Sequence, residues 1–218
     1  MDQAAVQRYI ERMEAALAVH GPTRAALCDG KGGRQDVRFP VLAAPALASP
    51  DCSVLDIGCG FADLYAFLTR CGWRGRYTGI DIVPALLIEA RRRYPGIALY
   101  ERDATLGLED LPAHDVVIAS GVLNLALPGG GNKVHIERLL SVLFGHAGLA
   151  VAVDFMTTQV DFRHPDAWHT DPLWALAFAN RLTRRLVLRA DYMPYEFALI
   201  LYKDVRVSHR TVFRAVER

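Results

Sequence analysis

No stretch of this chain approaches the roughly 18 uninterrupted apolar residues that a membrane-crossing helix needs. A secretory leader is not expected either, since the opening MDQAAVQRYIERMEAALAVH carries a charge every few positions. The cysteines (Cys28, Cys52, Cys59 and Cys71) show no CxxC spacing, which disfavours a zinc site or a disulfide framework. Charge of one sign is not in excess: 25 Lys and Arg face 24 Asp and Glu, for a net +1. The basic residues are nearly all arginine and scattered. Their two clusters, Arg91–Arg93 and Arg181/Arg184/Arg185/Arg189, read as solvated helix faces or last turns, so a nucleic-acid partner is disfavoured. Internal repeats and low-complexity tracts are absent. What is present is apolar mass: 52% of the 218 residues are hydrophobic and 22% charged. That suits one domain with a full core and excludes intrinsic disorder. The expectation is a soluble, cytoplasmic protein, monomer or homodimer, with no membrane partner.

The pattern divides near residue 48. Before it, Val6, Tyr9, Ile10, Met13 and Leu17 mark one face of an amphipathic helix over 2–19, ended by Gly21-Pro22. The Gly-rich stretch 28–36 reads as a loop, and a second helix is expected around Arg38–Leu47. From residue 53 the period changes. Short apolar runs at Ser53–Ile57, Tyr77–Ile80, Ile97–Tyr100, Val116–Ala119 and Leu149–Val153 alternate with helical patterns at Asp63–Cys71, Pro84–Tyr94 and Lys133–Phe144. Asn132 is the expected N-cap of the last helix and Gly145 its stop. Strands alternating with helices predict right-handed βαβ units and a parallel sheet. A further helix is expected over Trp168–Leu182. The short Met193–Glu196 link between Leu186–Tyr192 and Phe197–Lys203 predicts an antiparallel hairpin, with an antiparallel strand at the sheet edge. The fold class is therefore α/β, a Rossmann-like doubly wound sheet with a final antiparallel hairpin strand. Residues 1–48 form an N-terminal helical lid over a core of 49–218.

The stretch Val54-Leu-Asp-Ile-Gly-Cys-Gly-Phe-Ala-Asp63 leaves a strand and opens a helix. Gly58 and Gly60 permit positive φ and close backbone approach, and a helix start favours an anionic group. Alone such a loop is weak evidence, because dinucleotide and nucleoside binders share it. The continuation sharpens it. Asp81 ends the second expected strand, where a carboxylate could accept both hydroxyls of a ribose. Arg102-Asp103-Ala104 follows the third, and Asp103 could accept from an exocyclic adenine amine. Ser120–Asn124 follows the fourth. All of these lie at carboxyl ends of strands, where open α/β sheets bind ligands.

In VLDIGCG, GID, RDA and the strand-four end, the chain resembles the class I S-adenosylmethionine-dependent methyltransferases, over about residues 35–203. A dinucleotide dehydrogenase would read GxGxxG, whereas GCGFAD lacks the last glycine. The methyltransferases' own third glycine is replaced here by Ala62. The resemblance implies S-adenosylmethionine as cofactor, with the Asp56–Gly60 loop (Asp56, Gly58, Gly60) at the methionyl part and Asp81 at the ribose. Asp103 and Ala104 would hold the adenine, and Ile82 and Ser120 would complete the cofactor contacts. Similar small-molecule enzymes carry an upstream arginine that reaches the cofactor carboxylate, a role Arg38 could fill or could leave to serve as a surface residue.

An Asn/Asp-Pro-Pro-aromatic run after strand four, the mark of amide or nucleobase-amine methylation, is absent. Ser120-Gly-Val-Leu-Asn124 stands there instead, which turns the expectation toward a small-molecule acceptor. Catalytic candidates are Tyr9, Asn124 and Tyr195. Asp154, Phe155, Asp161, His164, His169, Asp171 and the turn Asp191–Phe197 (with Tyr192) are further acceptor-site candidates. His164 and His169 could act as bases but fit a surface loop better. His169 and Asp171 share no metal-ligand spacing with any cysteine, so no metal is expected. The overall pattern also resembles bacterial secondary-metabolite methyltransferases and azetidine-2-carboxylate synthases, which cyclise S-adenosylmethionine and release methylthioadenosine. Methyl transfer leads; cyclisation is the alternative.

Overall fold

The computed structural model describes residues 3–27, 34–163 and 166–203. The β-branched apolar runs become β1 (Val54–Ile57), β2 (Tyr77–Asp81), β3 (Ala98–Glu101), β4 (His114–Ala119), β5 (Ala147–Met156), β6 (Leu186–Arg189) and β7 (Glu196–Tyr202). They form one sheet in the order β3-β2-β1-β4-β5-β7-β6. β1 pairs in parallel with β2 on one side and β4 on the other, with Ile57 opposite both Ile80 and Ala119. The strand order reverses between β1 and β4, and a cleft opens there at the carboxyl ends. Every residue of β1 and β2 is buried, as strands covered on both faces must be.

The hairpin is present, and it supplies the antiparallel pair at the sheet edge. β7 lies inside the sheet, antiparallel to both β5 and β6, and β6 is the edge. The physical reason is burial: Phe197–Leu201 are buried throughout, whereas Val187 of β6 is exposed. Because β7 runs against β5, its first residue, Glu196, lies opposite Met156 at the carboxyl end of β5. The reversal thus delivers a carboxylate to the cleft. Phe155 and Phe197 stack across this pair at 5.0 Å between centroids.

The helices are α1 (Gln3–His20), α2 (Arg34–Leu42), α3 (Ala44–Leu47), α4 (Asp63–Arg70), α5 (Pro84–Arg93), α6 (Asn132–His146) and α7 (Pro172–Leu182). The expected helix 38–47 is two helices broken at Ala43, with Pro40 inside α2 and Pro45 in the first turn of α3. Residues 34–36, expected in a loop, open α2, and residues 28–33 of that loop lie outside the described chain. α6 packs Ile136, Leu139, Leu140 and Leu143 against the sheet. Its N-cap is Gly131 and not Asn132, whose buried side chain instead accepts from Leu127 N–H at 2.9 Å and donates to Leu125 C=O at 2.7 Å. The helix also runs through Gly145 to His146.

Residues 168–171 are extended, and α7 begins only at Pro172. Asp171 caps it by accepting from Leu173 N–H at 2.8 Å, and proline suits that first position. α2, α3 and Ala43 between them bury Phe39, Leu42, Ala43 and Ala46 in the cluster that holds Val54, Val116 and Ala152 of the sheet. α1 packs apart from it, through Met13, against Phe61, Val83 and Leu86.

Candidate cofactor and acceptor site

The carboxyl ends of β1, β2, β4 and β5, together with α1, α2 and the segment after β5, enclose a cavity of about 820 Å³. Small-ligand pockets span roughly 300–1,000 Å³, so this one has room for a nucleoside-sized group with a small second molecule. Tyr9, Arg38, Asp56, Gly58, Gly60, Asp81, Ile82, Asp103, Ala104, Ser120, Asn124 and Tyr195 all line it.

The loop after β1 is shaped by its backbone. Gly58 (φ +67°), Gly60 (φ +52°) and Ala62 (φ +61°) all take the left-handed conformation. A Cβ on Gly58 would lie 2.2 Å from Val122 Cγ1, so the glycine answers to packing as well as to dihedral preference. Ala62 holds at the start of α4 a conformation that disfavours non-glycine residues, at the position of the missing third glycine.

Asp81 holds this loop in place. One carboxylate oxygen accepts from Gly60 N–H at 2.8 Å and the other from Val83 N–H at 2.9 Å. Burial raises its pKa while these backbone donors oppose the shift. A carboxylate offers about four lone-pair sites, so capacity for ligand hydroxyls remains. Asp56 is buried and accepts from the Tyr77 hydroxyl at 2.6 Å. Burial pushes its pKa up to about 7, against that hydrogen bond. Asp103 accepts from Thr105 N–H (2.8 Å) and Oγ1 (2.6 Å) through a single oxygen.

The far wall is built on Asp154. It accepts from Gly121 N–H at 2.7 Å and from Ser120 Oγ at 3.0 Å, fixing the turn after β4. Arg38 donates to Glu196 from Nε (2.7 Å) and Nη2 (2.5 Å), and Nε lies 3.7 Å from Asp154. Burial pushes Asp154 up to about 6, with Arg38 opposing and Glu196 adding to the rise. Arg38 is thus a buried residue facing two carboxylates, not a surface one. The site's dependence on Glu196 had no sequence signal, because it comes from the antiparallel register of β7.

Among the other candidates, Asn124 accepts from Met156 N–H at 2.8 Å. Tyr195 lines the cavity with the Arg34 guanidinium 4.8 Å from its ring centroid. Tyr192 is half-buried against the core cluster and is not in the cavity wall. Phe155 is core and Asp171 a helix cap, Asp161 lines the cavity, and His164 lies outside the described residues. His169, read as a surface residue, is only 8% exposed and lines the cavity. His135 of α6 also lines it and gave no motif. Among the described residues no cluster of three His, Cys, Asp or Glu is placed to hold a metal.

Residues 54–144 match the methyltransferase domain family. The chain is 27% identical over 161 residues to Rv1506c, a Mycobacterium tuberculosis protein named as a methyltransferase, spanning 72% of this chain and 96% of that one. It is 31% identical over 157 residues to a trans-aconitate 2-methyltransferase of Methylobacterium nodulans, with 60% of each chain covered. In fold it is similar to an amino pentose methyltransferase of calicheamicin biosynthesis from Micromonospora echinaspora, solved with S-adenosylmethionine bound. That likeness has a TM-score of 0.63 at 15% identity and covers 82% of this chain and 95% of the other.

Proposed function

We propose that this chain, which carries a class I S-adenosylmethionine-dependent methyltransferase domain, transfers the cofactor's methyl group to a small-molecule acceptor in bacterial secondary metabolism. One observation carries the reading. The cofactor-side residues at the ends of β1 and β2 and just after β3, and the acceptor-side residues after β4 and β5, line a single cavity of about 820 Å³. The residues present fit the cofactor. Gly58, Cys59 and Gly60 of the glycine loop line the cavity, Asp81 and Asp103 offer carboxylates to hydroxyl and amine donors, and Ile82 and Leu86 supply apolar wall. The trans-aconitate and amino pentose enzymes, by their names, act on small molecules, which supports the acceptor class. No helix among the described residues is long and apolar enough to cross a membrane.

S-adenosylmethionine supplies a methyl group on a sulfonium, already an excellent leaving group. The chain's own task is therefore positioning: to hold the nucleophile about 3 Å from the methyl carbon and in line with the departing sulfur. In this reading Gly58 and Gly60 bring backbone to the methionyl part, and Asp81 orients the ribose while clamping the loop that bears Gly60. The Asp154–Ser120–Gly121 bonds hold the turn that separates cofactor from acceptor. Tyr9, Asn124 and Tyr195 face the acceptor. The cap role for residues 1–48 rests on α1 and α2, whose Tyr9, Arg12, Met13, Arg34, Gln35 and Arg38 line the cavity.

Cyclisation of the cofactor to azetidine-2-carboxylate is the alternative, and Tyr9 and Tyr195 at the wall are the aromatic faces it would use. Mass spectrometry of the nucleoside by-product separates the two. S-adenosylhomocysteine formed only with a small-metabolite extract supports methyl transfer, whereas methylthioadenosine formed without extract replaces it with cyclisation.

A further inference from the structure

We infer that His169 is the general base of this site and that the acceptor's nucleophilic atom carries a proton at neutral pH, as a hydroxyl or an ammonium does. The inference rests on the methyl-transfer reading above and adds to it a residue and an acceptor chemistry.

Residues 167–170 run extended beside the ends of β4 and β5. Leu125 bridges Ala167, Thr157 bridges Thr170, and Trp168 N–H donates to Asn124 C=O at 3.0 Å. In an extended segment alternate side chains face opposite ways. Ala167 and His169 accordingly line the cavity while Trp168 packs on the core. His169 Nδ1 lies 2.8 Å from the Thr157 carbonyl oxygen. A carbonyl only accepts, so Nδ1 carries the proton, and Nε2 of the neutral ring carries the lone pair. Nε2 is buried and has no hydrogen-bond partner among the described residues. Buried polar atoms nearly always find one; an X–H donor on a bound acceptor molecule would supply it.

The step balances. The acceptor's X–H proton passes to Nε2, and the electron pair on X forms the bond to the methyl carbon. The methyl–sulfur bond breaks with its electrons going to sulfur, so the sulfonium becomes a neutral thioether. The imidazolium so formed keeps its Nδ1–H bond to Thr157 and afterwards releases its proton to solvent. Other titratable groups share the cavity: Asp161 and Asp166 from the same segment, His135 from α6, Tyr195 before β7 and Arg38 from α2. The test must therefore follow His169 itself as well as the rate.

The variant is His169→Asn, whose amide can still donate to Thr157 where Nδ1 did while nothing basic remains at the Nε2 position. His169→Gln, which puts an amide near Nε2, is the second variant should the first not fold. In protein labelled with ¹⁵N-histidine, without ligand, the resonance lost in the variant should report a proton on Nδ1 and a lone pair on Nε2 at pH 8. A proton on Nε2 overturns the inference.

With methyl-labelled S-adenosylmethionine and a small-metabolite extract, the variant should transfer label about 10²–10⁴-fold more slowly at pH 7. It should recover as rising pH ionises the acceptor, with its cofactor KM little changed. Equal rates, or a loss that is the same at every pH, overturn the base role. Absence of label transfer by the unmodified protein defeats the methyl-transfer reading and the base role together.

Discussion

Arg38 and Glu196 stand 158 residues apart in the chain and meet side-on in the protein interior, at 2.7 and 2.5 Å. The pair ties α2 to the first residue of β7, and Asp154 of β5 lies 3.7 Å from the same guanidinium. A cation between two buried carboxylates is costly to remove, since breaking a buried pair from one side exposes an uncompensated charge.

Arg38→Met should therefore lower stability by about 3–5 kcal/mol, read as a fall in the urea midpoint. Glu196→Gln should cost less, because Asp154 still balances the guanidinium. If Arg38→Met kept its midpoint but lost cofactor affinity, the residue would be a ligand contact and not a structural tie.

Asp81 joins Gly60 to Val83 through its two oxygens, so its removal acts twice. Asp81→Ala should weaken S-adenosylmethionine binding by calorimetry and also destabilise the protein without ligand, by about 1–3 kcal/mol for the backbone donors left unpaired. Asp81→Asn keeps one acceptor and should fall between. Unchanged affinity in both variants removes Asp81 from the cofactor site.

Gly58→Ala should be poorly tolerated, because the new Cβ would sit 2.2 Å from Val122 Cγ1 at a φ of +67°. Adding Val122→Ala removes the clash but not the left-handed backbone, which still costs about 1–2 kcal/mol. The double variant should recover part of the thermal midpoint lost by the single one. Recovery of all of it would show that packing alone dictates the glycine.

Stability should respond to pH in two opposed ways. Asp56 is raised by burial to about 7. Between pH 3.8 and 7 the native protein therefore holds a proton that the unfolded chain releases, and this term loses stability as pH rises. His114 sits at the opposite end of the sheet, against Thr78 (2.8 Å) and His146 (3.0 Å). It is lowered to about 4 by burial and then by Arg76, so its term loses stability as pH falls from 6.5. Asp56→Asn should flatten the first slope and His114→Gln the second, in denaturant melts between pH 4 and 7.5. A slope unchanged by its own variant rejects that assignment.

The parallel part of the fold was readable because each β-branched run and each helix carries its own period. VLDIGCG, GID and RDA were readable because a glycine at positive φ and an acid at a strand end are local demands. Helix ends were less so. Asn132 looked like a cap, yet its amide is drawn to Leu125 and Leu127, partners that neighbouring loop geometry supplies. His169 looked exposed because a polar loop residue usually is; the bridges at Ala167 and Thr170 hold its segment against the sheet ends, where it lines the cavity.

What the sequence by itself determined is the alternation of strand and helix, the glycine loop and the row of acids at successive strand ends, since these depend on a residue and its near neighbours. What only the tertiary structure decided is the wall opposite. β7 inserts antiparallel between β5 and β6, its first residue arrives beside the last residues of β5, and Arg38 is thereby given Glu196 and Asp154. Strand order and register follow from which apolar faces can be buried together, a property of the whole sheet that no local stretch of sequence contains.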